Sequence, residues 1–496
     1  MRRRNGLATI SLLAMMVTAA LPANEPLTLC IVTGERPTIL NLAVEIDGQE
    51  LSAVWDETFA QLHAFLDQNH DGALDQSEAA RLPAPFVLRQ SAWTRSTGFF
   101  NGPEFATLDT NHDTRLSVDE IASSYRQKGI GTVQVGVGRT PATETLTRAI
   151  LKSLDTDHDG TVVESEWRAA AETFRELDKN DDELIGPGEI VTKTVYPGAV
   201  GSYRLAVTSI ESPRDPIAEK LPFYIVPPKG DVSQWLALAN QQRAALSIPP
   251  LSSDALAISS WRYRADHGNG ARSALQVDGD SVLTAGLVRL ELTAAEISST
   301  DPFEASMRRL GELFAESDTN ANQVVDEQEL KGQKSGQLKD LFTSADTDGN
   351  KELTRGELDA WLALQSQIRK GQVFLTLLDH SQGLFELLDA DRDAALSVRE
   401  LRSAWQRLQE SQSLADAKLD LARLPWHLRG VISRGQPRSD RAKPHREGPA
   451  WFQALNRNGD GDVSPREWIE EEAAFRKLDT DHDGLLSESE ARRAGE

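Results

Sequence analysis

The sequence predicts a mainly α chain in which helix-loop-helix units fall into two halves, with a β-rich segment between them. Three observations predict it. A twelve-residue acidic frame recurs nine times along the 496 residues, apolar residues at helical spacing run into the frames, and residues 195–300 change character to β-branched and aromatic runs between Pro and Gly turns. The organisation expected is a signal segment at 1–23, a short β segment at 24–53, a loop-bearing region with four frames at 54–194 and the β-rich segment at 195–300. A second loop-bearing region with three frames follows at 301–410, then a linker with a short strand at 411–447 and a closing pair of frames at 448–496.

The first element reads as an export signal. Arg2, Arg3 and Arg4 precede an apolar run from Leu7 to Leu21, with small residues at Ala19, Ala20 and Ala23. That run is shorter than the roughly 20 apolar residues a bilayer requires, and no later stretch reaches that length. The expected location is therefore periplasmic or extracellular, with no transmembrane span once the signal is removed. Cys30 is the single cysteine, so no intramolecular disulfide can staple the chain. The 53 basic residues face 76 acidic ones for a formal charge of −23, which argues against nucleic acid and selects cations as partners.

The frames carry the chemistry. LDTDHDG stands at 154–160 and again at 478–484, and from Asp155 the chain continues DTDHDGTVVESE, with oxygen-bearing side chains at loop positions 1, 3 and 5, glycine at 6, an apolar residue at 8 and glutamate at 12. The other frames are DQNHDGALDQSE from Asp67, DTNHDTRLSVDE from Asp109, DKNDDELIGPGE from Asp178, DTNANQVVDEQE from Asp318, DTDGNKELTRGE from Asp346, DADRDAALSVRE from Asp389, NRNGDGDVSPRE from Asn456 and DTDHDGLLSESE from Asp479. All nine close in glutamate. Before Asp67, Trp55, Phe59, Leu62 and Leu66 give an incoming helix one apolar face.

These frames resemble the EF-hand family of secreted bacterial type. The resemblance implies up to nine Ca2+ ions, each wrapped by alternate side chains, one backbone carbonyl and a bidentate closing glutamate, because calcium takes six to eight hard oxygen ligands. The ligand set it implies is Asp67, Asn69, Asp71, Asp75 and Glu78; Asp109, Asn111, Asp113, Ser117 and Glu120; Asp155, Asp157, Asp159 and Glu166; Asp178, Asn180, Asp182 and Glu189. In the second half it is Asp318, Asn320, Asn322, Asp326 and Glu329; Asp346, Asp348, Asn350, Thr354 and Glu357; Asp389, Asp391, Asp393, Ser397 and Glu400; Asn456, Asn458, Asp460, Ser464 and Glu467; Asp479, Asp481, Asp483, Ser487 and Glu490. Position 6 turns sharply and favours glycine, so Thr114, Glu183, Gln323, Lys351 and Ala394 should weaken their loops by about 1 kcal/mol.

Loop starts at 67, 109, 155 and 178 nearly superimpose in spacing on those at 346, 389, 456 and 479, which predicts an internal duplication of a four-hand unit. The Asp318 hand is then an extra. Both halves end with two loops 23 residues apart, which are expected to act as pairs. GIGTVQVGVG at 129–138 reads as a flexible insertion, while ILNLAVEIDG, VLTAGLVRLEL and LRGVISRG read as strands.

No sequence motif points to catalysis. His70, His112, His158 and His482 all occupy loop position 4, which faces away from an ion, and no HExxH, GxSxG or phosphate-loop pattern occurs. Trp93, Trp235, Trp261 and Trp426 are open to sugar stacking as well as to core packing. The expectation is a secreted, non-enzymatic protein in which calcium stabilises a binding or scaffold surface for a protein or cell-surface partner. The alternatives are a calcium sensor or buffer, of which the scarcity of methionine disfavours the sensor, and an enzyme with an unfamiliar site in the central β segment.

Overall fold

The structure is a computed structural model of the chain, and it describes residues 26–32, 37–90, 102–139, 143–194, 206–207, 223–226, 232–245, 250–251, 257–266, 273–277, 282–285, 287–295, 302–331, 341, 344–435 and 447–494. The signal segment, Trp93 and most of the basic stretch 436–448 lie outside the described residues.

The chain is mixed α/β, which corrects the mainly α expectation. The strands of its two six-stranded sheets are β1 (Leu27–Ile31), β2 (Thr38–Ile46), β3 (Gln49–Glu50), β4 (Gln134–Arg139), β5 (Ala206–Val207), β6 (Phe223–Val226), β7 (Ala257–Ala265), β8 (Ser273–Val277), β9 (Val282–Ala285), β10 (Val288–Ala294), β11 (Val373–Ser381) and β12 (Trp426–Arg434). They form two mixed sheets. The first runs β6-β1-β2-β7-β8 with β3 paired to β2, and the second runs β5-β4-β11-β12-β10-β9. The central segment is therefore no separate β module, because its strands are shared between a sheet founded on β1 and β2 and a sheet founded on strands that lie between the hands.

The reason is burial. β11 and β12 are buried on both faces, so they read as continuous apolar runs and lack the alternation that marks a half-exposed strand. Residues 134–138 of GIGTVQVGVG lie in β4, parallel to β11, and are not a flexible insertion. Gly430 shows how crowded this sheet is. At the middle of β12 a Cβ would lie 2.1 Å from Leu292 Cδ2 and 2.9 Å from Leu377 Cδ2.

The helices that matter for the sites are α1 (Leu51–Leu66), α2 (Val118–Gln127), α3 (Thr143–Leu154), α4 (Pro302–Ser317), α5 (Arg355–Lys370), α6 (Leu384–Leu388) and α7 (Val398–Glu410). The apolar stripe expected before Asp67 is the buried face of α1, with Trp55, Phe59, Leu62 and Leu66 in one cluster with residues of both sheets. Trp55 Nε1 donates to Gly371 O at 2.8 Å and Gln367 Nε2 to Val54 O at 3.2 Å, so α1 is fixed along α5. Trp261 is core as well. No helix among the described residues is long and apolar enough to cross a membrane.

The hands pair through loop position 8. Leu74 bridges Leu116, Ile185 bridges Leu396, Val325 pairs with Leu353 and Val463 with Leu486. The hand at 155 bridges no other hand; Val163 pairs with Lys418, and Leu419 donates its N–H to Val162 O at 3.1 Å. This corrects the expectation that 155 and 178 pair with each other as 456 and 479 do. The apolar residues decide it: Val162, Ile185, Leu396, α3, α6 and α7 share one buried cluster, so the 155 and 178 hands close against the region 384–424.

Candidate metal centres

Each hand is built by local hydrogen bonding before any ion is considered. In the hand at 67, Asp67 Oδ1 accepts from Asp71 N at 3.2 Å and Oδ2 from Gly72 N at 3.0 Å, while Asp71 Oδ1 accepts from Ala73 N at 3.0 Å. Side chains 1, 3 and 5 thus hold the backbone of the turn that encloses them. Position 4 and position 6 take left-handed φ: His70, His112, His158 and His482 at 56–62°, and Thr114, Glu183, Gln323, Lys351 and Ala394 at 63–70°. The five non-glycine residues at position 6 adopt the conformation glycine would, and carry its strain.

All nine closing glutamates fold over their loops. Oε1 accepts from the backbone N–H of position 2 in every hand, and Oε2 from position 9. Where position 9 is Ser, Thr or Asp it also caps the outgoing helix, as Asp75, Ser117, Thr354 and Ser397 do. One residue pair therefore serves helix initiation and loop closure together.

Four hands bring three acidic groups within 4.8 Å of one another: Asp155, Asp157 and Glu166; Asp346, Asp348 and Glu357; Asp389, Asp391 and Glu400; Asp479, Asp481 and Asp483. These are the four frames with aspartate at position 3; the other five have asparagine there, at 69, 111, 180, 320 and 458. Position 3 thus sorts the hands by acid density. Asp155 Oδ1, Asp389 Oδ1 and Asp479 Oδ1 are buried without a hydrogen-bond partner. A buried carboxylate oxygen with nothing to accept is costly unless a cation completes it, and the all-oxygen donor set suits a hard divalent ion such as Ca2+.

Electrostatics divides the hands again. Burial pushes the Asp389 carboxyl up to about 8, with Arg429 pulling against it and the charges of Glu400, Asp393 and Asp391 adding to the rise. Burial likewise raises Glu400 to about 7 and Asp460 to about 7. At Glu490 burial also raises, but the Ser487 and Thr480 donors outweigh it and hold the carboxyl down at about 2. In the hand at 389 burial and neighbouring carboxylates thus raise both the first aspartate and the closing glutamate.

Cations from elsewhere in the chain meet the loops, a feature with no counterpart in the frame pattern. Arg429, on β12, sends Nη1 to Asp389 Oδ2 at 3.3 Å and Nη2 to Asp389 O at 2.8 Å, while Arg407 Nη2 donates to Leu388 O at 3.0 Å. Arg81 Nη2 donates to Asp346 O at 2.7 Å, Arg115 pairs with Asp71 at 2.6 Å, and Arg399 and Arg466 reach neighbouring loops. Two of these were visible in the sequence as a shared pattern, since Arg399 and Arg466 both precede the closing glutamate.

Comparison with known proteins agrees with this geometry at one place. A family model described as EF hand matches residues 472–493, the hand whose loop starts at Asp479. No curated protein and no solved structure is matched by the chain. The chain thus carries an EF hand near its C-terminus, together with acidic loops whose chemistry suits calcium.

Proposed function

We propose that the chain is an exported calcium-binding protein in which ions held by up to nine EF-type hands stabilise a binding or scaffold surface, without catalysis. The observation that carries the reading is the set of buried, partnerless Oδ1 atoms at Asp155, Asp389 and Asp479, each at position 1 of a loop closed by its glutamate. Nine divalent ions would return eighteen positive charges to a chain of formal charge −23, so binding and folding are coupled. Calorimetric titration of the protein with Ca2+ tests this. Saturable binding at several sites supports it, and a flat isotherm with Ca2+, after prior chelation, rejects it.

The same reading starts the second copy of the internal repeat one hand earlier than loop spacing alone suggests. The hands at 67, 109, 155 and 178 correspond to those at 318, 346 and 389 and to residues 412–423, QSLADAKLDLAR, a frame with Leu414 at position 3 and Arg423 in place of the closing glutamate. Three features support the shift. Position 8 of that frame, Leu419, faces Val162; Asp420 at position 9 caps a short helix as the other hands' ninth residues do; and the strands β4 and β11 follow the second hand of each set. The hand at 155 is then paired with a counterpart that has lost its ion site.

A further inference from the structure

The C-terminal hand pair is wired to the hand at 389 by one side chain. Arg399 stands at loop position 11 of hand 389, next to the closing Glu400, on the first turn of α7. Its guanidinium donates from Nε to Asp462 Oδ2 at 2.7 Å and from Nη2 to Asp462 Oδ1 at 2.8 Å, and Nη1 lies 3.0 Å from Asp483 Oδ2. Asp462 is position 7 of hand 456 and its side chain is buried. Asp483 is position 5 of hand 479, and its other oxygen, Oδ1, accepts from Leu485 N at 2.8 Å. Arg402, one helical turn along, donates to Asp483 O.

This is more than a surface ion pair. A two-point guanidinium–carboxylate contact on a buried aspartate fixes the arginine's orientation, and a fixed arginine fixes its second partner. That second partner is one of the three acids that converge in hand 479. Both ends of the connection are sites with an unanswered buried oxygen, Asp389 Oδ1 and Asp479 Oδ1.

We propose that Arg399 is a positioning residue for the ion of hand 479, and that through it the loading of hand 389 and the loading of hand 479 are coupled. Resting on the calcium reading above, the mechanism is local. Glu400, already folded over its loop, would be a ligand of an ion in hand 389, and loading there would stiffen the first turn of α7 that carries Arg399. The contacts that Arg399 already makes with Asp462 and Asp483 would then be held more firmly, so the carboxylate of Asp483 would need less ordering when hand 479 is loaded. By linkage the coupling runs equally in the other direction.

The test is a double-mutant cycle in the full chain, read at one residue. Gly484 N donates to Asp479 Oδ2 at 3.0 Å, so its amide resonance in glycine-labelled protein reports hand 479 directly; it is assigned as the resonance lost in Gly484→Asn. Glu400→Gln disables hand 389. With Arg399 present it is expected to weaken Ca2+ binding at Gly484 by about fivefold or more, the lower end of ordinary site-to-site coupling. With Arg399→Met the same Glu400→Gln change is expected to move that affinity less than about twofold. Should Arg399→Met unfold the hand pair, Arg399→Lys replaces it: a point charge cannot hold Asp462 at two points and Asp483 as well, so the coupling falls there too. An effect of Glu400→Gln that is equal in all backgrounds, or absent in all, overturns the proposal. A Gly484 amide that ignores Ca2+ in the unmodified chain overturns the calcium reading instead.

Discussion

Without calcium, the protein is expected to lose stability as pH rises from 6.5 to 8, and the loss should trace largely to Asp389. Its carboxyl has an ordinary value of 3.8 and is raised by burial to about 8. Between those limits the folded chain keeps a proton that the unfolded chain has released, so stability falls with rising pH by about 1.36 kcal/mol per unit and is flat above 8. Below 6.5 other groups oppose this. His427 is kept neutral by burial and nearby positive charge, so there the unfolded chain binds the extra proton and stability rises with pH. Glu120, Glu166 and Glu490, held below their ordinary value of 4.5 by hydrogen-bond donors, act in the same sense at still lower pH. The interval from 6.5 to 8 is therefore left to the raised acids, and Asp389 alone contributes at most about 2 kcal/mol across it. Glu400, raised to about 7, steepens the lower end. A Ca2+ ion favours the ionised carboxylates and should erase the slope. Thermal unfolding at several pH values across this interval, in EGTA and in excess Ca2+, measures it directly. Equal or greater stability at pH 8 than at 6.5 in EGTA would refute the electrostatic reasoning, as would an undiminished slope in Asp389→Asn.

Other outcomes follow from the same geometry. EGTA should raise sensitivity to protease, since the hands carry the smaller clusters around Trp167, Trp361 and Phe452; identical cleavage with and without Ca2+ contradicts it. Asn69→Asp should tighten Ca2+ binding at hand 67 by roughly threefold to tenfold by making positions 1, 3 and 5 all carboxylates, and Asp157→Asn should weaken hand 155 comparably; titrations in which either variant departs from the unmodified chain in the other direction would show that position 3 does not set affinity. Gly430→Val should cost about 1–3 kcal/mol, because the added carbons collide with Leu292 and Leu377 at the centre of the second sheet. An unchanged unfolding midpoint would show that the strands can part to admit it.

The loops were legible because metal chemistry writes on consecutive residues. Alternate oxygens, a turn and a closing glutamate fall within twelve positions, and the structure returns that closure in all nine frames. Local patterning also gave α1 from Trp55, Phe59, Leu62 and Leu66, and β2 from its alternating burial. The second sheet was not legible for the opposite reason. A strand buried on both faces has no polar side to reveal its period, so QVFLTLLDH, between two hands, reads as readily as helix, and the glycines of GIGTVQVGVG suggest a loose turn. The arginines that reach the loops from outside the frames were hidden too. Arg429 is 40 residues from Asp389 in sequence, and only the packing of β12 beside α6 brings its guanidinium there.

Pairing of the hands at 155 and 178 follows neither loop spacing nor chain proximity, and the cause lies in which apolar surfaces have somewhere to go. Two loops 23 residues apart leave eleven residues between them. At 468–478 that connection turns inward on its own pair, with Trp468 edge-on to Trp451 and Phe475, and the two hands close on each other. At 167–177 the same length carries Trp167 and Phe174, both buried, and Trp167 donates from Nε1 to Leu401 O at 3.2 Å while its ring meets Trp405. Its apolar residues are thus committed to α7, and hands 155 and 178 must take their position-8 partners from the same region, at Leu419 and Leu396. Replacing Trp167 by alanine should therefore loosen hand 389 as well as hand 155, although 234 residues separate Trp167 from its hydrogen-bond partner. Calcium affinity lost at hand 155 alone would mean that the two regions are merely adjacent, whereas a joint loss follows from one shared core whose removal costs about 3–5 kcal/mol.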